Sequence, residues 1–204
     1  MIIVVEGISA SGKTTWCQKH GEGILVEERY PVPRPDRNAD PMKAANAWTD
    51  WNARRWAQAL ELEGRQGIAV CDTDPLKLHF VWSLWQIGEA PEEHWLHQLQ
   101  ATRKAFLKRV LGFADLYLVQ RIDPSIAFQQ RDADKERHRP NFDLHLRLQN
   151  SLHAWYEAIS KTTPATVKWA LPSELPLLVS SVTDHRYDVA VFDRFVASLP
   201  RSSH

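Results

Sequence analysis

Ile2-Ile3-Val4-Val5-Glu6-Gly7-Ile8-Ser9-Ala10-Ser11-Gly12-Lys13-Thr14-Thr15 follows the initial methionine and decides the fold. Four consecutive apolar residues, Ile2 to Val5, are what a strand buried on both faces of a parallel sheet requires. Gly7 to Thr14 then matches G-x-x-x-x-G-K-[ST] at every fixed position, and the pattern predicts a helix from about Lys13. Glycines in such a turn let backbone N–H groups converge on an oxyanion, and the helix start adds its positive end. Gly7, Ser9, Ala10, Ser11, Gly12, Lys13, Thr14 and Thr15 are therefore the expected nucleotide phosphate contacts. Lys13 would reach the β- and γ-phosphates of ATP, and the Thr14 hydroxyl would ligate Mg²⁺.

Further apolar runs alternate with helical periodicity. Ile24-Leu25-Val26, Ile68-Ala69-Val70-Cys71, Leu116-Tyr117-Leu118-Val119 and Thr166 to Leu171 read as strands two to five. Helices are expected over Met42 to Gly64 (with a break near Asp50), Glu92 to Leu111, Ile126 to Gln130, Phe142 to Ser160 and Asp184 to Leu199. Phe80 to Ile87 is a Trp-rich segment, and Tyr30 to Pro41, with four prolines, reads as an exposed loop. This alternation implies a single α/β domain over 1–204: a five-stranded parallel sheet with helices on both faces.

Composition narrows the function. The 204 residues carry 25 Lys+Arg against 25 Asp+Glu, a formal net charge of zero. A protein that coats nucleic acid or an anionic membrane needs a net basic field, so neither is an expected partner. No signal peptide or apolar span is read, and two cysteines, Cys17 and Cys71, cannot build a disulfide framework. The expected compartment is a reducing cytoplasm. Among nine histidines, His94 and His97 lie a helical turn apart, but no acidic or cysteine partner completes a zinc set.

The phosphate loop does not by itself choose among nucleotide-binding classes. No Asn-Lys-x-Asp base-reading motif of GTPases and no Leu-Ser-Gly-Gly-Gln motif of transporter ATPases occurs. What remains favours a small-molecule kinase, and three features supply its parts. Cys71-Asp72-Thr73-Asp74-Pro75 ends strand three with carboxylates at the sheet edge where ligands bind; they suit Mg²⁺ or a substrate proton, and equally a helix cap. Glu27 and Glu28 end strand two at the same edge, as candidates for the base at the acceptor hydroxyl. Arg131-Asp132-Ala133-Asp134-Lys135-Glu136-Arg137-His138-Arg139 interrupts a helical region and suggests a mobile lid over about 131–141. Its guanidinium groups (Arg131, Arg137 and Arg139) would neutralise the transferring phosphoryl group.

Val5-Glu6-Gly7 leading into Ser11-Gly12-Lys13-Thr14-Thr15, then Glu27-Glu28, and later Tyr117-Leu118-Val119 with Asp123-Pro124, resembles the deoxynucleoside kinase and thymidylate kinase group. The arginine-bearing segment and the helix with Leu148, Leu152 and Trp155-Tyr156 are similar to the lid region of that group. Asp72-Thr73-Asp74 followed by Trp82 to Gly88 looks more like ribosylnicotinamide-type kinases. The resemblance, which extends to about residue 171, implies an ATP·Mg²⁺ donor and lid arginines that clamp phosphates. It matches Glu28, or Glu27, to the acidic residue near the acceptor hydroxyl, and Asp72 to an acidic residue after strand three. It also implies a homodimer. Two positions depart from the group's pattern: Thr73, where arginine is usual, and Arg29, where proline is usual. Both fall in the acceptor site.

That acceptor site should lie over strands two and three, walled by Pro31 to Pro41 and the helix near Trp48 to Trp56. Arg54 and Arg55 could pair with an acidic group of the acceptor, and Asp74 faces the same edge. Trp48, Trp51, Trp82 and Trp85, among nine tryptophans, could stack a flat ring. The expectation is an ATP-dependent kinase for a hydroxyl of a nucleoside-like molecule. A kinase of a non-nucleoside metabolite or antibiotic is the alternative, and a regulatory nucleotide-binding ATPase is the alternative of another class.

Overall fold

The computed structural model describes residues 1–134, 141–176 and 185–201. Five strands, β1 (Ile2–Gly7), β2 (Leu25–Val26), β3 (Ala69–Asp72), β4 (Leu116–Gln120) and β5 (Thr166–Lys168), form one sheet in the order β2-β3-β1-β4-β5. Every neighbouring pair is parallel. β1 sits at the centre, all six of its residues buried, as its continuous apolar run requires. Its register places Val5 opposite Asp72 and Gly7 opposite Gln120, which gathers the carboxyl ends of β1, β3 and β4.

Helices cover both faces. On one side Ile2, Val4, Cys71, Tyr117 and Val119 pack beneath α2 (Pro41–Gln66), α4 (Glu92–Leu107), α7 (Gln149–Thr162) and α8 (Val189–Ser198). On the other, Ile3, Val5, Val70, Leu116 and Leu118 pack beneath Trp16 and Cys17 of α1 (Lys13–His20), with Leu171 and Leu175 alongside. Trp16 donates its indole N–H to the Pro172 carbonyl at 2.6 Å, fixing the segment after β5 over that thinner layer.

Sequence expectations change at several element boundaries, and β5 ends at Lys168 rather than Leu171. The break near Asp50 is absent: α2 runs unbroken, because Asp50 points to solvent while Ala45, Thr49, Trp56 and Ala59 face the core. Asp40 caps it by accepting from the Lys43 N–H at 2.9 Å, with Pro41 in the first turn. α4 stops at Leu107, not Leu111, since Arg109 takes a left-handed φ of 56° and the chain turns to bury Leu111. The helix expected over Phe142 to Ser160 divides into α6 (Phe142–Arg147) and α7, which meet at Leu148. α8 starts at Val189, where the Asp188 carboxylate accepts from the N–H groups of Ala190 and Val191. The Trp-rich segment is α3 (Leu78–Gln86), and α5 (Pro124–Ala133) carries Arg131 in its last turn.

Candidate functional site

The turn after β1 closes as its glycines predict. Gly12 stands at φ 84°, the left-handed backbone from which α1 departs. Gly7 is required for space: a Cβ there would lie 2.5 Å from Ser11 Oγ and 2.8 Å from the Gln120 carbonyl. The loop lines a cavity of about 730 Å³ through Gly7, Ile8, Ser9, Lys13 and Thr14. Ala10 and Ser11 pack behind it, and Thr15 faces solvent.

Asp72 ends β3 beside the loop, its Oδ1 at 4.0 Å from Lys13 Nζ. Burial raises its pKa, a rise opposed by the charge of Lys13 and by a hydrogen bond from the Thr14 hydroxyl. Asp72 Oδ1 is itself buried and lacks a hydrogen-bond partner. A carboxylate oxygen that accepts no hydrogen bond, next to a threonine hydroxyl and a phosphate-loop lysine, fits Mg²⁺, which takes one or two protein ligands and fills the rest from phosphate and water. Among the described residues no group of three or more His, Cys, Asp or Glu side chains is placed to hold a metal, so a zinc-type cage is not formed.

The two strand-two glutamates separate. Glu27 turns outward and pairs with Arg29 at 2.7 Å, both largely exposed. Glu28 turns into the cavity and forms a contact ion pair with Lys77, each side chain about one-fifth exposed. Burial alone would raise the Glu28 pKa. Lys77, Lys13 and the Tyr30 hydroxyl outweigh it and hold the carboxyl well below its usual range. Lys77 is delivered by a strained turn, with left-handed φ at Thr73 (71°) and Lys77 (49°) and the Asp74 carboxylate accepting from Leu76 N–H at 2.9 Å.

Asp74 does not reach the cavity. It is 1% exposed, hydrogen-bonded by the Tyr156 hydroxyl at 3.3 Å, and burial pushes its pKa up to about 7. Above it sits Glu6, whose carboxylate accepts from the N–H groups of Asp74 (2.9 Å) and Gly7 (3.1 Å). His79 Nε2 lies 3.4 Å from Glu6, and burial lowers its pKa to about 4, so the ring is neutral near pH 7. Glu6 thus ties the phosphate loop to the turn after β3.

Other expected acceptor residues move to structural duties. Arg55 is buried and donates to the carbonyls of Asp72 (2.8 Å), Thr73 (3.0 Å) and Glu27 (3.3 Å), stapling the ends of β2 and β3 rather than meeting a ligand. Arg54 is exposed. Trp82 packs in the core against Trp155 at 5.6 Å, on the side of α3 away from the cavity-lining His79, Phe80 and Ser83. Trp51 lies outside the cavity and donates to the Arg29 carbonyl at 2.8 Å. Trp48 lines the cavity, anchored by its indole N–H to the Pro35 carbonyl at 3.2 Å. The thiols are buried and inert, with Cys71 pushed up to about 12 by burial.

Arg131 stacks between Phe128 (4.9 Å) and Phe142 (4.8 Å) and pairs with Asp132, outside the cavity. Arg137 and Arg139 lie outside the described residues. Glu6, Tyr30, Arg34, Arg37, Lys77 and His79 line the cavity without having been singled out from the sequence. The available signals were weak: Tyr30 follows Glu28 by two positions, and Lys77 closes the Asp-Thr-Asp-Pro turn.

No protein-family profile matches the chain, and no curated protein matches it. Among solved structures it is similar in fold to a deoxyadenosine kinase from M. mycoides, solved with the products dCMP and a flexible dCDP bound. The two share 14% sequence identity at a TM-score of 0.51, over 97% of this chain and 96% of that one.

Proposed function

We propose that the chain is an ATP- and Mg²⁺-dependent phosphotransferase that moves the γ-phosphoryl group onto a hydroxyl of a nucleoside or nucleoside-like small molecule. The observation that carries this reading is one cavity lined by both the phosphate loop and a half-buried carboxylate, Glu28, held ionised by Lys77. The fold similarity to a deoxyadenosine kinase supports the nucleoside-like acceptor.

On this reading the backbone N–H groups of Gly7 to Thr14 cradle the donor phosphates, and Lys13 meets the β- and γ-oxygens. Thr14 and Asp72 would hold Mg²⁺, which when bound neutralises charge building on the bridging oxygens. Glu28 accepts the hydrogen bond of the attacking hydroxyl, orients its oxygen, and takes the proton as the new P–O bond forms and the bond to the departing ADP breaks. A carboxylate of low pKa suffices, because in a loose transition state the hydroxyl becomes acidic only late in bond formation. Glu6, with no place at the reacting atoms, keeps the loop in register with the Asp72–Lys77 turn. Arg137 and Arg139 are proposed to bring guanidinium charge to the phosphates.

The test incubates the protein with ATP·Mg²⁺ and a panel of nucleosides and follows phosphorylated products by mass spectrometry. A product made by the wild type and lost in Lys13→Ala supports the reading. Absence of any phosphorylated nucleoside across the panel removes an unmodified nucleoside as the acceptor.

A further inference from the structure

Among the described residues, two cations in the cavity face no carboxylate. Lys13 faces Asp72, Lys77 pairs with Glu28, and Glu6 is held by two backbone N–H groups and His79. Arg34 and Arg37, on the wall formed by the loop between β2 and α2, have no carboxylate within ion-pairing distance among the described residues. Arg34 lies over the Tyr30 ring at 4.4 Å and is exposed.

Arg37 is the unusual one. Its guanidinium lies 5.2 Å from the Trp48 ring, its Nε is buried without a hydrogen-bond partner, and its nearest acceptor is Gln98 Oε1 at 3.5 Å. Gln98 is fixed in that orientation because its amide N–H₂ donates to Thr49 Oγ1 at 2.9 Å. His94, also nearby, has its pKa lowered by burial and by Arg37 itself, and an imidazole, neutral or cationic, supplies no negative charge. Burial pulls the Arg37 pKa down to about 10, which still leaves the group cationic at neutral pH.

A half-buried guanidinium with its Nε unpartnered and no counter-ion is destabilising in the free protein, and its planar fork matches two oxygens of one oxyanion. We propose that the acceptor is itself an anion: a hydroxyl compound bearing a carboxylate or phosphate group that Arg37, assisted by Arg34, receives. This rests on the phosphotransferase reading for the hydroxyl, but the anion subsite stands on Arg37's own surroundings. It also gives the nucleoside-like description a chemical limit, since an unmodified nucleoside is neutral.

The test has two readouts. Without ligand, Arg37→Met should melt at or above the wild-type temperature, because an uncompensated charge is removed; a fall of more than about 5 °C, several times the effect of a neutral surface change, marks Arg37 as structural and overturns the proposal. With the phosphate loop filled by saturating ADP·Mg²⁺, succinate and inorganic phosphate are then titrated separately against wild type, Arg37→Met and Arg65→Met, the last at the far end of α2 to remove general salt effects. At least one of the two should stabilise wild type and Arg65→Met alike and bind Arg37→Met about tenfold more weakly, and which one does names the acceptor's anionic group. Equal binding to wild type and Arg37→Met, or binding of neither, overturns it. Phosphoryl transfer from ATP to matched neutral and anionic hydroxyl compounds separates the two readings: no transfer to any of them removes the phosphotransferase and leaves the anion result intact.

Discussion

The Glu28–Lys77 pair admits a quantitative test that needs no acceptor. Their side chains are 19% and 21% exposed, so the pair is mostly but not fully desolvated. Two unit charges in contact at an effective dielectric near 20 attract by about 4 kcal/mol. Residual solvent and the ordering of the lysine stem reduce this to about 2 kcal/mol of coupling. The perturbation is the double-mutant cycle Glu28→Gln, Lys77→Met and both together, with stability read from urea unfolding at pH 7. Each single change leaves a mostly desolvated charge without its main partner, Glu28 keeping only Lys13 and the Tyr30 hydroxyl, and should cost about 2–3 kcal/mol. The double change should cost less than their sum by about 2 kcal/mol. Coupling below about 0.5 kcal/mol, the value of an exposed pair, would refute the claim that Lys77 holds Glu28 ionised.

Three further outcomes follow from the same geometry. Asp74 has its folded-state pKa raised to about 7 from an ordinary 3.8, so the folded state binds the extra proton and this stability is present at low pH and lost as pH rises from about 4 to about 7; the melting temperature of wild type minus that of Asp74→Asn should fall across that window, and a flat difference would contradict the assignment. Gly7→Ala places its Cβ against Ser11 Oγ and the Gln120 carbonyl, and should cost about 1–3 kcal/mol of stability together with ATP affinity measured by calorimetry. Arg55→Met orphans three carbonyls at the ends of β2 and β3 and should destabilise by about 3 kcal/mol in urea, whereas an arginine serving only a ligand would leave the midpoint unchanged.

The parts legible in the sequence were those decided by neighbouring residues. Ile2 to Thr14 specify a buried strand, a left-handed glycine and a helix start without help from the rest of the chain, and strand–helix alternation implies the parallel sheet but not its strand order. The acceptor side was legible only in part, because long-range packing decides it. Glu27 and Glu28 are adjacent and alike, and only Lys77, 49 positions away, draws Glu28 inward. Arg55 looks like a ligand arginine in sequence, yet the open carbonyls of two strand ends claim it. Trp82 points from α3 into the core, and it is His79, Phe80 and Ser83 of the same helix that face the cavity. Arg37 sits in a proline- and charge-rich stretch that reads as solvated, and its burial depends on α2 continuing unbroken past Asp50 so that Trp48 and Thr49 meet Gln98. Glu6 was hidden by its position inside the strand-to-loop motif, where the glycines and lysine draw the eye.

The central claim is that the phosphate loop and Glu28 serve one reaction in one cavity. Its most direct test is single-turnover transfer of the γ-phosphoryl label from saturating ATP·Mg²⁺ to an acceptor, compared between wild type and Glu28→Gln. The account predicts that Glu28→Gln binds ATP as the wild type does but forms labelled product about 100-fold more slowly, since only the hydroxyl's orientation and proton acceptor are lost. Labelled product appearing at the wild-type rate in Glu28→Gln would contradict it.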